Sequence, residues 1–312
     1  MGNVIFCFNA VMPILCIMLI GYLARICALI NDEVVEKMNK AVFYIFVPIA
    51  LFYNTYGSSL SEAIQPGLVV FASLGVLFSF LFSLLYTRLF FQDLSQRGVM
   101  LQALFRSNYV VVGLPIVSAL FVDCNLAAVS FLVAVVVTIF NILAVLSLTI
   151  FCGTHADYKT TLYTVITNPV IIGAVVGLLF SALGVRLPTF LARSLGQLND
   201  AVGPIMLFLL GAFFRFDTML AHIKTVLIIC VGRLVLIPAI ILSVAYFVGF
   251  RGMEFSALIG LFASSTAVTS FTVAQQLGGD GRLAGDIVVL SSIICPFTMM
   301  IWCMLFKGFG AV

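Results

Sequence analysis

Charge is what this sequence has least of. Lys and Arg number 15 and Asp and Glu 12 among 312 residues, so charged side chains make up only 9% of the chain, with two His and one Trp. A soluble domain ordinarily spreads about a quarter to a third of its surface over such residues, and this chain cannot. The net charge of +3 is small and dispersed, which excludes a nucleic-acid partner. Motifs of catalysis are missing as well: there is no G-x-S-x-G, no H-E-x-x-H, no Walker loop and no aspartate pair at intramembrane-protease spacing. The eight cysteines stand singly without a C-x-x-C pair, and His155 and His222 sit apart near predicted helix ends. Small apolar fillers are the reading for the cysteines, and no enzyme activity, metal or cofactor is expected. Met1 to Ala24 holds no Lys or Arg, so the basic n-region of a cleavable signal is missing and the first segment reads as a retained helix. Met1-Gly2-Asn3 fails as a myristoylation signal because position six is Phe6.

Apolar residue is what the chain has instead. It makes up 63% of positions, and the mean hydropathy is +1.25. A monomer in water could not expose so much apolar surface, so the lipid bilayer is the expected solvent. At about 20 residues per span, ten segments emerge: 4–24, 34–56, 66–90, 98–121, 126–151, 165–185, 195–214, 223–249, 254–277 and 283–306. A polar break at Gly153–Lys159 separates two sets of five, 1–152 and 158–312.

Lys and Arg set the orientation. With the N-terminus outside, the inner loops collect Arg25, Lys37, Lys40, Arg88, Arg97, Lys159, Arg215, Lys224 and Arg282, against Arg186, Arg193, Arg251 and Lys307 outside. Both termini are therefore expected outside. Internal repetition appears when the chain is shifted by 156, which aligns Pro13 with Pro169, Gly21 with Gly177 and Pro48 with Pro204. A shift of 157 aligns Asp123 with Asp280, Leu126 with Leu283, Ala127 with Ala284 and Phe140 with Phe297. Five spans per half is odd, so the second half must insert upside down, and in such carriers the solute binds at the repeat interface.

Segments four and nine carry the unusual polarity. Segment four reads Arg106-Ser107-Asn108-Tyr109-Val110-Val111-Val112-Gly113-Leu114-Pro115, and Gly113 with Pro115 predicts an interruption around Tyr109 to Gly113. Segment nine holds Ser264, Ser265, Thr266, Thr269 and Ser270, whose hydroxyls either cap broken half-helices or bond back to their own helix. Broken helices meeting at mid-membrane turn their N-terminal ends, with free N–H groups, toward an anion such as a carboxylate. Asn108 suits orientation of that group. Arg106 lies about two turns inside segment four and either meets the solute or snorkels to the inner interface; Arg233 in segment eight reads as a structural or gating partner. Asp286, just inside segment ten, is the candidate proton relay, with Asp200 near the start of segment seven and Asp93 and Asp217 at inner helix ends. Asn141 and Thr138 add polarity in segment five, and Gly173-x-x-x-Gly177 predicts close helix packing.

At Lys40-Ala41-Val42-Phe43-Tyr44-Ile45-Phe46-Val47-Pro48, Ser107-Asn108 through Gly113-Leu114-Pro115, Asn168-Pro169 with Gly177, and Ala274-Gln275-Gln276 with Gly278-Gly279-Asp280, the chain resembles the auxin efflux carrier family. That family includes bacterial malate and malonate permease-like members and plant PIN-formed carriers. The resemblance implies an all-α membrane protein of ten transmembrane helices, built as two inverted five-helix repeats with broken crossing helices four and nine. It implies a scaffold of segments one, two, six and seven, which pairs the protein as a homodimer, and a transport domain of three to five and eight to ten that moves as an elevator. Binding would then fall on Asn108, Gly113, Pro115, Ser265 and Thr266, with Ser107, Tyr109, Ser264, Thr269 and Asn141 around them. Arg106, Arg233, Gln275, Gln276 and Asp286 are the coupling or gating candidates. The related bile acid sodium symporters bind sodium near the equivalent crossover, so the coupling ion is H+ or Na+. Two departures stand out: segment nine lacks a proline at its crossover, and segment three, from Gly67 to Leu85, has no ionisable residue. The expected function is secondary transport of a small organic anion, a mono- or dicarboxylate or an auxin-like acid, in a prokaryotic inner membrane; the alternative is a solute-sensing or channel-like protein on the same fold.

Overall fold

A computed structural model describes residues 2–56, 66–91, 94–113, 126–152, 163 and 166–312, with backbone alone over 2–11 and at scattered further positions. Pro115, Asp93, Asp123, His155, the polar break Gly153–Lys159 and the end of segment four lie outside the described residues.

Every described element is helical. Helix α1 (Gly2–Ile26) leads to α2 (Asp32–Ala41), whose N-cap Asn31 accepts a hydrogen bond from the Val34 N–H at 2.9 Å. A π-helical turn, Val42–Phe46, carries α2 into α3 (Val47–Tyr56). Helix α4 (Pro66–Phe90), α5 (Leu94–Phe105) and α6 (Leu126–Cys152) complete the first half. Helix α7 (Pro169–Ala182) starts with proline at its first turn, where the missing N–H costs nothing, behind the cap Asn168. Then follow α8 (Thr189–Phe213) and α9 (Phe216–Val231), the latter running through a π turn, Gly232–Leu236, into α10 (Ile237–Val248). Pro238 deprives the Leu234 carbonyl of its usual donor, and Trp302 Nε1 supplies one at 2.9 Å. Helix α11 (Gly252–Ala263), α12 (Thr269–Gln276) and α13 (Gly281–Gly308) close the chain. Asp280 caps α13, accepting from the N–H groups of Arg282 and Leu283 at 3.0 Å each.

Among the described residues, Pro66–Phe90, Thr189–Phe213, Met219–Val248 and Gly281–Gly308 are long and apolar enough to cross a membrane, and shorter apolar helices such as Pro169–Ala182 accompany them. Their outward faces are apolar too: Leu81 is 63% exposed and Phe247 84%. A helix that is apolar all round is stable only where lipid or protein covers it.

Two helix pairs, α1 against α8 and α3 against α7, form the tightest packing. A side chain on Gly211 would place its Cβ 1.9 Å from the Met18 carbonyl oxygen, and one on Gly177 would lie 2.4 Å from that of Phe52. Backbones therefore touch at both places, and the Gly173-x-x-x-Gly177 spacing packs as its sequence predicts. One charge cluster ties the ends of these helices: Asp32 accepts from Arg25 at 2.5 Å and from Arg215 at 2.8 Å. The hydrogen bond from Arg25 holds the Asp32 carboxyl below its ordinary value of 3.8.

Segments four and nine are both interrupted, with a difference from the sequence expectation. In segment four α5 ends at Phe105, four residues before Tyr109, where the interval that Gly113 and Pro115 mark for the break begins. Tyr109–Gly113 itself is a π-helical turn. Pairing across to segment nine, rather than glycine freedom, decides the register. In segment nine the break spans 264–268 and uses no proline.

Candidate functional site

The two interruptions lie against each other as a short antiparallel bridge between Ser107 and Thr266. The Asn108 N–H donates to the Ser265 carbonyl at 2.9 Å and the Ala267 N–H to the Arg106 carbonyl at 3.2 Å. Backbone groups freed by breaking two helices thus satisfy one another, as an apolar environment requires.

Hydroxyls complete the crossing. Thr266 Oγ1 donates to the Ala103 carbonyl at 2.8 Å, and Ser107 Oγ to that of Leu261 at 2.6 Å while sharing a 2.5 Å bond with Ser264 Oγ. Ser292 Oγ reaches Ser265 Oγ at 3.4 Å. Ser264, Ser265 and Thr266 are wholly buried and their polar groups point into protein. Arg233, also wholly buried, donates to the carbonyls of Ser264, Leu104 and Leu261 at 3.1, 3.3 and 3.3 Å. It therefore sits on the negative C-terminal ends of both α5 and α11 at once, and carbonyl dipoles rather than a carboxylate face its charge.

Beside the crossing lies a cavity of about 450 Å3. One wall consists of Arg106 to Val110, the start of α12 at Ala267 to Thr269, and Val137, Phe140 and Asn141 of α6. The opposite wall is built by Pro13, Ile14 and Ile17 of α1, Val47, Leu51 and Asn54 of α3, and Asn199, Asp200, Pro204 and Met206 of α8. Arg106 is 3% exposed; its Nη2 donates to Asn141 Oδ1, while its Nη1 has no hydrogen-bond partner. Asn108 Nδ2 and the Tyr109 hydroxyl are likewise buried and unpartnered. Three buried donors lacking an acceptor, on consecutive residues of the cavity lining, fit an anion nearby, because each such group otherwise costs about 1–3 kcal/mol.

The structure divides the residues singled out by sequence. Ser107, Asn108, Tyr109, Asn141, Thr269 and Arg106 line the cavity, whereas Ser264, Ser265 and Thr266 do not. Gly113 also lies away from it: a Cβ there would approach the Gly260 carbonyl oxygen to 2.4 Å, so its role is close packing on α11. Gln275 accepts a hydrogen bond from the buried amide of Asn39. With Gln276 it ends α12, about 9 Å along the helix from Thr269, and is not brought to Ser107 and Asn108. Asp286 is 2% exposed in α13 and meets His222 Nδ1 at 3.2 Å, outside the cavity. The sequence reading left His222 alone because its partner is 64 residues away. Asn54 and Asn199 were missed as cavity residues. Asp200 stands five residues into segment seven, near its start, although α8 itself begins earlier, at Thr189.

A family model described as membrane transport protein matches residues 6–161 and 153–303. The chain belongs to this family, in which the resemblance to auxin efflux carriers holds. A chain from Methanothermobacter thermautotrophicus is 21% identical over 296 residues, covering 94% of this chain and 96% of its own length. Another from Methanocaldococcus jannaschii is 21% identical over 310 residues, covering 94% and 97%. Both are described only as uncharacterized transporters. Family and helices together make this a multi-pass membrane protein concerned with transport rather than catalysis.

Proposed function

We propose that this member of the membrane transport protein family is a secondary carrier of a small organic anion, a mono- or dicarboxylate, held in the cavity beside the helix crossing. One observation carries the reading: Arg106 is a buried cation with no carboxylate partner and an unpartnered Nη1, and it lines the cavity together with Asn108, whose amide nitrogen is also unpartnered. A bound carboxylate would supply the missing acceptor and charge, with the N-terminal end of α12 adding its partial positive charge.

The architecture behind this reading is ten spans in two inverted five-helix repeats, 1–152 and 158–312. The pairing of α1 with α8 and of α3 with α7 supports it, because exchanging the two halves turns one pair into the other. Segments one, two, six and seven would form the scaffold and the homodimer interface, and segments three to five and eight to ten the moving elevator, in a prokaryotic inner membrane with both termini outside. Among H+ and Na+ as coupling ions, the pair of buried Asp286 with half-buried His222 favours the proton. No cofactor or metal enters the scheme.

Purified protein in proteoliposomes, loaded with unlabelled malate, malonate or indole-acetate, is expected to show saturable counterflow of the labelled compound. A conductance without counterflow would instead favour the channel-like or sensing alternative. Imposed pH and sodium gradients, applied separately, identify the coupling ion; indifference to both would leave a uniporter.

A further inference from the structure

The cavity that offers Arg106 to an anion also contains an acid. Asp200 is the twelfth of the 25 residues of α8, close to the middle of a helix long enough to span a bilayer. An ionisable group within a helix that spans a membrane is uncommon, and one that lines a cavity is a candidate for contact with the solute. Asp200 is an exposed residue and lines the same cavity as Arg106. Its one hydrogen bond is a long 3.4 Å contact from the neighbouring Asn199 amide. Among the described residues ion pairs join Arg25 and Arg215 to Asp32, Lys37 to Glu33 and His222 to Asp286; neither Asp200 nor Arg106 belongs to one.

One apolar cavity therefore has a cation without an anion on one wall and an anion without a cation on the other. A dicarboxylate would press its second negative charge toward Asp200, and a plain monocarboxylate would leave that carboxylate unanswered. We propose that the transported solute is zwitterionic: an amino-carboxylate whose carboxylate is held by Arg106 and Asn108 and whose ammonium is held by Asp200, with the Asn54 and Asn199 amide oxygens beside it. The remaining wall is aliphatic and aromatic, including Ile14, Leu51, Phe140 and Met206, which suits an apolar side chain on that amino acid. This inference rests on the anion-binding reading and sharpens it. It assigns selectivity to α8, away from the broken helices that receive the carboxylate.

Leucine and 4-methylpentanoate test it, since they share a carbon skeleton and differ only in the ammonium group. Binding to the full-length protein in detergent, followed by titration calorimetry and thermal shift, is expected to favour leucine by about tenfold or more, as a charge-assisted hydrogen bond provides. Asp200→Asn is expected to abolish that preference while changing affinity for 4-methylpentanoate less than about twofold. Asp200→Glu, which keeps the charge, is expected to retain the preference, and a series of glycine, β-alanine and γ-aminobutyrate will show its altered optimum length. The proposal is overturned if wild-type protein binds 4-methylpentanoate or malonate as tightly as leucine. It is also overturned if Asp200→Asn weakens both members of the pair equally. A preference for 4-methylpentanoate that grows as pH falls would mean that Asp200 carries a proton instead, and overturns it too. Failure of the parent reading looks different: no carboxylate of any kind binds, or Asn108→Ala leaves the affinity of all of them unchanged.

Discussion

The two broken helices meet at one crossing yet employ their polar residues in opposite ways. Segment nine is richer in hydroxyls, and at the crossing Ser264, Ser265 and Thr266 turn them inward, onto the partner helix and onto α13. Segment four has fewer polar groups, but Arg106, Asn108 and Tyr109 each leave a donor unused beside the cavity. Polarity inside an apolar bundle is therefore ambiguous by itself. What separates a binding wall from a structural joint is whether hydrogen-bonding capacity is left over once the protein has satisfied itself.

Breaking the joint should have the largest effect. Arg233→Ala leaves the carbonyls of Leu104, Leu261 and Ser264 without their shared donor, at about 1–3 kcal/mol each. Loss of monodisperse protein on size exclusion is expected, with Arg233→Lys recovering part of it because one ammonium reaches fewer carbonyls. A stable, active Arg233→Ala protein would erase the distinction between joint and wall.

The wall should behave in the opposite sense. Asn108→Ala is expected to weaken carboxylate binding by about tenfold or more with a nearly unchanged melting temperature, since its amide nitrogen has no protein partner to lose. Unchanged affinity in that variant would remove the crossing from the binding site. Thr266→Val keeps the volume and deletes the bond to the Ala103 carbonyl. It should cost about 1 kcal/mol of stability and leave affinity alone; a binding defect with normal stability would show that the hydroxyls of segment nine reach the solute after all.

The smallest effect concerns the charges outside the membrane. The Asp32 carboxyl is held below its ordinary value of 3.8 by the hydrogen bond from Arg25. Its stabilisation is thus complete above that value and is lost as pH falls below it through the lowered folded-state value. Asp32→Asn should melt slightly below wild type at neutral pH, and the two curves should converge in acid. The Asp32 carboxylate is half exposed, so the difference is small; a gap that persists at low pH would assign it to packing.

Much of the crossing could be read from residue order. Ser107-Asn108 and the Ser/Thr cluster stand out because neighbouring positions are apolar, and a helix there has unusual alternatives for its backbone. The register could not be read, because Asn108 pairs with Ser265 and Arg106 with Ala267 across more than 150 positions. The missing proline of segment nine is explained on the same basis: Arg233 and the opposite strand of backbone absorb the carbonyls that a proline would otherwise have freed. His222 looked solitary for a related reason, since its partner Asp286 is brought to it only in the assembled bundle.

The sequence by itself determined that this chain is an apolar, helical membrane protein and that segments four and nine are interrupted. Each of these follows from sums over neighbouring residues, and hydropathy and helix-breaking chemistry are local. Only the tertiary structure decided that Arg233 closes the joint, that Arg106 keeps a donor free, and that Asp200 stands across a cavity from it. Whether a buried polar group is satisfied depends on atoms contributed by distant segments, and that account can be closed only after the helices have packed.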